Sequence, residues 1–406
     1  MEVELMFKVI DGGITTPKGF YAGGLHSGIK KKRLDLAWCY SEVPANAGAV
    51  YTLNQFQAAP LIVTKESINQ TGKIQAIIVN SGVANACTGI QGLQDAYQMQ
   101  QLLAKQFQIP ANHVAVASTG VIGDLLPMEA IKSGIEQITD WQVSKAADLF
   151  EEAIMTTDKV RKRACIQIEI DGKLVTIAGA AKGSGMIQPN MATMLGFITT
   201  DANISATELQ KLLRTVTDVS FNMISVDGDT STNDMVIALA NGLAGNQPLT
   251  ETHPNWSDFV AGFTYVCQEL ARAIAKDGEG ASKLIEVTVK GAASLTDARV
   301  VGKSVIMSNL VKAAIFGSDP NWGRIVCAIG YSEVNIDPGK VKVMIGPYTV
   351  FQDGVPVSFE EEQIAEYLRH DLINIGIDLG QGEHVATAWG CDLTYDYVKI
   401  NAAYRT

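Results

Sequence analysis

Short apolar runs alternate with amphipathic helical stretches along the chain, and that alternation constrains the fold more than any other feature. Ile74 to Val79 reads as a buried strand, turned at Asn80-Ser81-Gly82 and followed by a helical pattern through Leu93 to Phe107. His113 to Ala117 reads as a second strand opening into Ser118-Thr119-Gly120, and Pro127 suits the first turn of a helix reaching about Ile138. Ile166, Ile168 and Ile170 alternate with polar neighbours before Asp171-Gly172, and Leu174 to Ile177 returns. This predicts a hairpin, because Asp-Gly tolerates the positive φ angles of a type I′ turn. Ser205-Ala-Thr-Glu208 is a capping box ahead of Leu209, Leu212, Leu213 and Val216 on one helical face. Phe259, Phe263, Val266, Leu270 and Ile274 mark another amphipathic helix, stopped by Asp277-Gly278-Glu279-Gly280. Beyond about Leu284 the pattern restarts, with strands near 284–290 and 341–346, a hairpin at Gln352-Asp353-Gly354 and a helix through Glu360 to His370. The expectation is an α/β chain with domains 1–283 and 284–406.

With 406 residues, 47% hydrophobic and 18% charged, the chain has ample apolar surface for a core, which excludes disorder, collagen and coiled coil. A net charge of −11 makes nucleic acid or an anionic membrane a poor partner. The two basic runs, Lys30 to Arg33 and Arg161 to Arg163, read as solvated turns. No apolar stretch approaches the ~18 residues that span a bilayer, and Glu2 and Glu4 stand where a signal peptide would carry lysines. Six scattered cysteines without a Cys-x-x-Cys pair read as free thiols in a reducing compartment, so a cytoplasmic protein is expected.

Several catalytic patterns fail. Gly302-Lys303-Ser304 lacks the upstream glycine of a phosphate loop, where Asp297 stands instead, and Gly183-Ser184-Gly185 has Gln188 in place of the third dinucleotide-binding glycine. The histidines share no metal-ligand spacing, so no metal site is expected. The segment Lys182 to Leu195 is more informative. It runs through flexible glycines and Pro189 to Ala192-Thr193 and an apolar stretch. Its plain reading is a loop between two strands. Its chemical reading is a chain break that leaves Thr193 as a new N-terminus, whose own α-amino group serves as the base for its hydroxyl. Such a break needs the hydroxyl to attack the Ala192 carbonyl and the resulting ester to hydrolyse.

Gln188-Pro189-Asn190-Met191-Ala192-Thr193-Met194-Leu195 closely resembles the self-cleavage motif of the glutamate N-acetyltransferases, also called ornithine acetyltransferases, of arginine biosynthesis. The likeness extends over essentially the whole chain. It takes in Gly28-Ile29-Lys30, the stretch Asn80-Ser81-Gly82-Val83-Ala84-Asn85-Ala86-Cys87-Thr88-Gly89, and Ser118-Thr119-Gly120-Val121-Ile122-Gly123. It continues through Asp227 to Asp234, Asp277-Gly278-Glu279-Gly280, Gly317 to Arg324 and Tyr397-Val398-Lys399-Ile400-Asn401.

The resemblance implies a layered α-β-β-α sandwich, shared with self-processing aminopeptidases, and a smaller C-terminal α/β domain. It implies cleavage between Ala192 and Thr193 into chains 1–192 and 193–406, which remain together as an α2β2 heterotetramer. Thr193 would take acetyl from N2-acetylornithine and pass it to glutamate by a ping-pong route without a cofactor, and acetyl-CoA stands open as a second donor. Thr119 and Gly120 match the oxyanion hole, while Thr156, Lys182, Thr193, Glu279, Asn401 and Thr406 match substrate-binding positions. Lys182 suits an α-carboxylate and Glu279 the cationic end of ornithine. The acids of Asp227 to Asp234 fit no cation loop and are assigned to structure. Two alternatives stand beside this reading: a self-processing aminopeptidase or amidase that releases acyl groups to water, and a non-catalytic binding protein on the same scaffold.

Overall fold

The computed structural model describes residues 6–188 and 194–402, so Ala192, Thr193 and Thr406 lie outside the described residues. The described chain divides into two compact units, 6–183 with 194–221 and 230–270, and 184–188 with 222–229 and 271–402.

The first unit is built on a nine-stranded sheet. Its order is Lys8–Val9, Lys162–Ile170, Lys173–Lys182, Leu195–Thr200, Met235–Ala240, Leu36–Tyr51, Lys73–Val83 and Val114–Val121, with Phe20–Leu25 paired to Leu36–Tyr51. The Ile74–Val79 run is buried throughout because helices cover both faces of the sheet. Ile77, Val79, Ala115 and Ala117 point into a cluster with Phe150, Ala153 and Ile154 of the helix Ala147–Ile154. The alternate residues Ala76, Ile78, Val114 and Val116 meet Met99, Leu103 and Phe107 of the helix Gly89–Phe107, together with Val63, Ile131 and Ile135. Successive side chains leave a strand on opposite faces, so one apolar run serves two cores.

The local expectations are met. Asp171 and Gly172 hold φ of 53° and 69° at the hairpin. The Ser205 hydroxyl accepts the Glu208 N–H at 3.2 Å, although the Glu208 carboxylate turns to Lys211 at 2.9 Å, so only half of the box is used. Pro127 stands one residue before its helix, Met128–Glu136. The apolar stripe of the helix Trp256–Lys276 packs against the sheet at Gly179, where a Cβ would lie 2.7 Å from Leu270 and 3.2 Å from Val266.

The second unit carries a seven-stranded sheet in the order Val355–Pro356, Tyr348–Gln352, Lys342–Ile345, Leu372–Asp378, Leu284–Ala292, His384–Cys391 and Ile224–Ser225. The helix Leu295–Met307 packs on its two long central strands. Asp353 and Gly354, with φ of 52° and 78°, make the expected turn. Lys312, buried, donates to the Val226 carbonyl at 2.8 Å and to the Cys391 carbonyl at 2.5 Å. The chain passes from the first unit to the second between residues 270 and 271, inside the helix Trp256–Lys276. Two segments from earlier in the chain join this unit, because Ile224–Ser225 pairs with His384–Cys391 and the Val226 N–H donates to the Ile187 carbonyl at 2.8 Å.

Candidate active site

In the first unit, Lys73–Val83 and Val114–Val121 run parallel, with Ser81 beside Thr119 and Gly82 beside Gly120. Gly120 holds φ of 137°, and a Cβ there would stand 2.2 Å from the Gly82 carbonyl carbon, so only glycine fits where the two backbones close. Side-chain amides fasten this strand end. Asn80 Nδ2 donates to the Val83 carbonyl at 2.9 Å, and Asn233 Nδ2 donates to the carbonyls of Ala84 at 2.6 Å and Ser118 at 2.8 Å. Thr119 is thereby held in place, and its Oγ1 accepts a hydrogen bond from Lys182 Nζ at 3.2 Å, both side chains being buried.

Asp158 organises the ground beside Lys182. Its Oδ1 accepts from Lys162 Nζ at 2.7 Å and from the Gly183 N–H at 2.7 Å, and its Oδ2 accepts from the Thr156 N–H at 2.9 Å. Burial alone would push this carboxyl up, but the charges of Lys182 and Lys162, with these hydrogen bonds, hold it well below the usual carboxylate range. Asp158 was not among the sequence-expected residues: a Thr-x-Asp spacing carries no signal, and only its company of lysines marks it. Asp234 is the opposite case. Burial pushes it well above the usual range, against the pull of Ser231 and Lys182, and its Oδ2 has no hydrogen-bond partner among the described residues. Two acids in one unit are thus driven apart, Asp158 downward by its lysines and Asp234 upward by burial.

Lys182 ends one strand and pairs with Leu195, the start of the next. Adjacent antiparallel strands need only about 2–5 linking residues, whereas this link runs from 183 to 194. The extra length carries the expected cleavage point.

In the second unit, Glu279 is buried, its N–H donates to the Ser184 carbonyl at 2.9 Å, and its Oε2 accepts from Asn401 Nδ2 at 2.8 Å. A Cβ on Gly185 would sit 2.3 Å from the Glu279 carboxyl carbon, which explains that glycine. Asp227 accepts the N–H groups of Met186 at 2.7 Å and Ile187 at 2.8 Å, a structural role as expected for that acidic segment.

A family model, the ArgJ family, matches residues 21–406. The chain belongs to the ArgJ family. It is 57% identical over 396 residues to the arginine biosynthesis bifunctional protein ArgJ of Oceanobacillus iheyensis, covering 98% of this chain and 97% of that one. It is 56% identical over 398 residues to the protein of the same name from Geobacillus kaustophilus, with 98% and 97% covered. The crystal structure of the ArgJ protein of Bacillus halodurans, 50% identical, matches with a TM-score of 0.51 over 51% of this chain and 98% of that one. With the two helix-covered sheets, this likeness bears out the α/β sandwich class. No described helix is long and apolar enough to cross a membrane.

Among the site residues expected from the sequence, the first unit bonds Lys182 to Thr119, which precedes Gly120, and Asp158 takes the N–H groups of Thr156 and of Gly183 next to Lys182; the second joins Glu279 to Asn401. One expectation needs correction. The basic runs are not simply solvated turns. Lys162 is buried on Asp158. Lys30 donates to the carbonyls of Leu34 at 3.0 Å and Met155 at 2.6 Å, with burial, against the pull of Asp35, lowering it to about 8.

Proposed function

We propose that the chain is an acetyltransferase of arginine biosynthesis that moves the acetyl group of N2-acetyl-L-ornithine to L-glutamate through Thr193, after cleavage into chains 1–192 and 193–406. The observation that carries this reading is the buried Lys182–Thr119 hydrogen bond at the foot of the link bearing Ala192-Thr193. Lys182 donates into Thr119 Oγ1, so the Thr119 O–H proton is directed elsewhere. It and the Gly120 N–H are the donors for an oxyanion. The positive charge of Lys182 beside that hole serves the substrate α-carboxylate.

The Thr193 hydroxyl attacks the acetyl carbonyl carbon while the α-amino group of Thr193 takes its proton. Collapse breaks the amide bond and returns that proton to the departing ornithine nitrogen, leaving an acetyl ester on Thr193. The glutamate amine attacks this ester by the same steps in reverse, N-acetylglutamate leaves, and the free hydroxyl is restored. No cofactor is needed. Glu279, with Asn401 on its carboxylate, takes the ornithine side-chain ammonium, and Thr156 and Thr406 complete the substrate contacts. Relatives named bifunctional support acetyl-CoA as a second acetyl donor. The cleaved chains work as an α2β2 assembly in the cytoplasm. The aminopeptidase reading is not favoured, because relatives over 98% of the chain are arginine-biosynthesis proteins.

Intact-mass analysis joined to an acetyl-transfer assay tests this. Two fragments, the second beginning at Thr193, and acetyl transfer that requires glutamate are expected. Fully active uncleaved protein would remove the nucleophile, and release of acetate at the same rate without glutamate would make the protein an amidase.

A further inference from the structure

The two basic runs, more than 120 residues apart in sequence, meet in the first unit. Arg33 of one and Arg161 and Arg163 of the other line a single open pocket of about 520 Å³ with Lys159, Glu152 and Met155. Four cations and Glu152 line it on a chain of net charge −11, with Asp148 and Glu151 standing beside Arg163. Arg33 Nη1 donates to the Thr156 carbonyl at 2.9 Å, and Asp148 takes Arg161 at 3.2 Å and Arg163 at 2.6 Å. Each guanidinium has five donors, so these bonds orient the forks and leave others for a ligand.

The segment 155–163 is a wall with two sides. Asp158 and Lys162 turn inward, buried, towards Gly183 and the charge of Lys182, while Lys159, Arg161 and Arg163 are exposed. Asp158 and Arg161 are three positions apart, at most about 11 Å of chain. That span is shorter than the extended pantetheine arm of coenzyme A. Acetylornithine and glutamate carry carboxylates but no phosphate, and the reading above already places their α-carboxylate at Lys182.

We propose that the pocket walled by Arg33, Lys159, Arg161 and Arg163 is a phosphate-binding subsite that anchors the nucleotide end of acetyl-CoA while its thioester reaches Thr119 and Lys182. The proposal rests on the acetyl-CoA activity put forward above. Its size suits a diphosphate or a phosphorylated nucleoside, and arginine forks match phosphate oxygens in pairs.

The test compares wild type with the double variant Lys159→Gln/Arg161→Gln, as cleaved protein, in two assays sharing glutamate as acceptor. With acetyl-CoA as donor, the KM for acetyl-CoA should rise about tenfold and the wild-type KM should rise steeply with salt. With acetylornithine as donor, kcat and KM should stay within about twofold of wild type. An unchanged KM for acetyl-CoA, or equal losses with both donors, overturns the subsite. Acetyl-dephospho-CoA separates the phosphates: a raised wild-type KM with it places the 3′-phosphate in the pocket, and an unchanged one places the diphosphate there. Calorimetry with CoA and with inorganic phosphate separates this proposal from the reading beneath it. Wild type that makes no N-acetylglutamate from acetyl-CoA yet binds CoA through these residues keeps the subsite and loses the second activity. Wild type that binds inorganic phosphate there but not CoA loses the nucleotide assignment.

Discussion

Replacing Thr119 by alanine separates an oxyanion donor from a strand-end packing residue. Two costs follow from the structure. The first falls on folding: Lys182 Nζ loses a 3.2 Å acceptor inside a buried network, worth about 1–3 kcal/mol and a thermal midpoint lower by several degrees. The second falls on catalysis. Attack by Thr193 places charge on an oxygen that begins nearly neutral, so a fixed O–H donor binds the transition state more tightly than the ground state. Its loss should lower kcat by about 10²–10³, or about 3–4 kcal/mol, with little change in KM. Thr119→Ser supplies the control, because it keeps the hydroxyl and should hold kcat within about tenfold of wild type while sharing part of the stability loss. Self-cleavage passes through a similar oxyanion, so kinetics are read only on protein that intact mass shows to be cleaved. Cleaved Thr119→Ala with kcat within a few-fold of wild type would refute the reasoning, and so would a serine variant as inactive as the alanine one.

Asn401→Ala removes the amide that donates to Glu279 Oε2 at 2.8 Å, so the KM for acetylornithine should rise about tenfold with kcat within about twofold, measured at saturating glutamate. Glu151 is buried, and neither carboxylate oxygen has a hydrogen-bond partner among the described residues; burial, against the pull of Arg163, pushes it up to about 7. From about pH 4.5 to pH 7 the folded protein keeps a proton that the unfolded chain releases, so this residue favours folding at low pH and costs stability as pH rises. Glu151→Gln should therefore gain on wild type by up to about 3 kcal/mol between pH 5 and pH 8 in thermal melts, and parallel pH profiles would sink the assignment.

The elements legible in the sequence are those whose causes are local. The Asp171-Gly172 turn, the Ser205 cap and the stripe from Phe259 to Leu270 are each set within a few residues, and the structure places them as expected. The sixteen-residue strand Leu36–Tyr51 was not legible, because Pro44 and the polar residues around it break the alternation; the pairing shifts register between Tyr40 and Ala45, the bulge that admits the proline. The motifs around Thr119, Lys182 and Glu279 named the family before any fold was known, since residue order alone carries such a signature. Their physical partners could not be read that way. Lys182 meets Thr119 across 63 positions, Gly183 meets Asp158 across 25 and Asn401 meets Glu279 across 122, and no spacing rule spans such gaps. The basic runs show the same limit: a run of lysines and arginines looks solvated until the fold shows which charges it buries and which it gathers into a pocket. Short-range stereochemistry is written along the chain, whereas burial and charge pairing belong to the packing of distant segments and exist only once the sheets have formed.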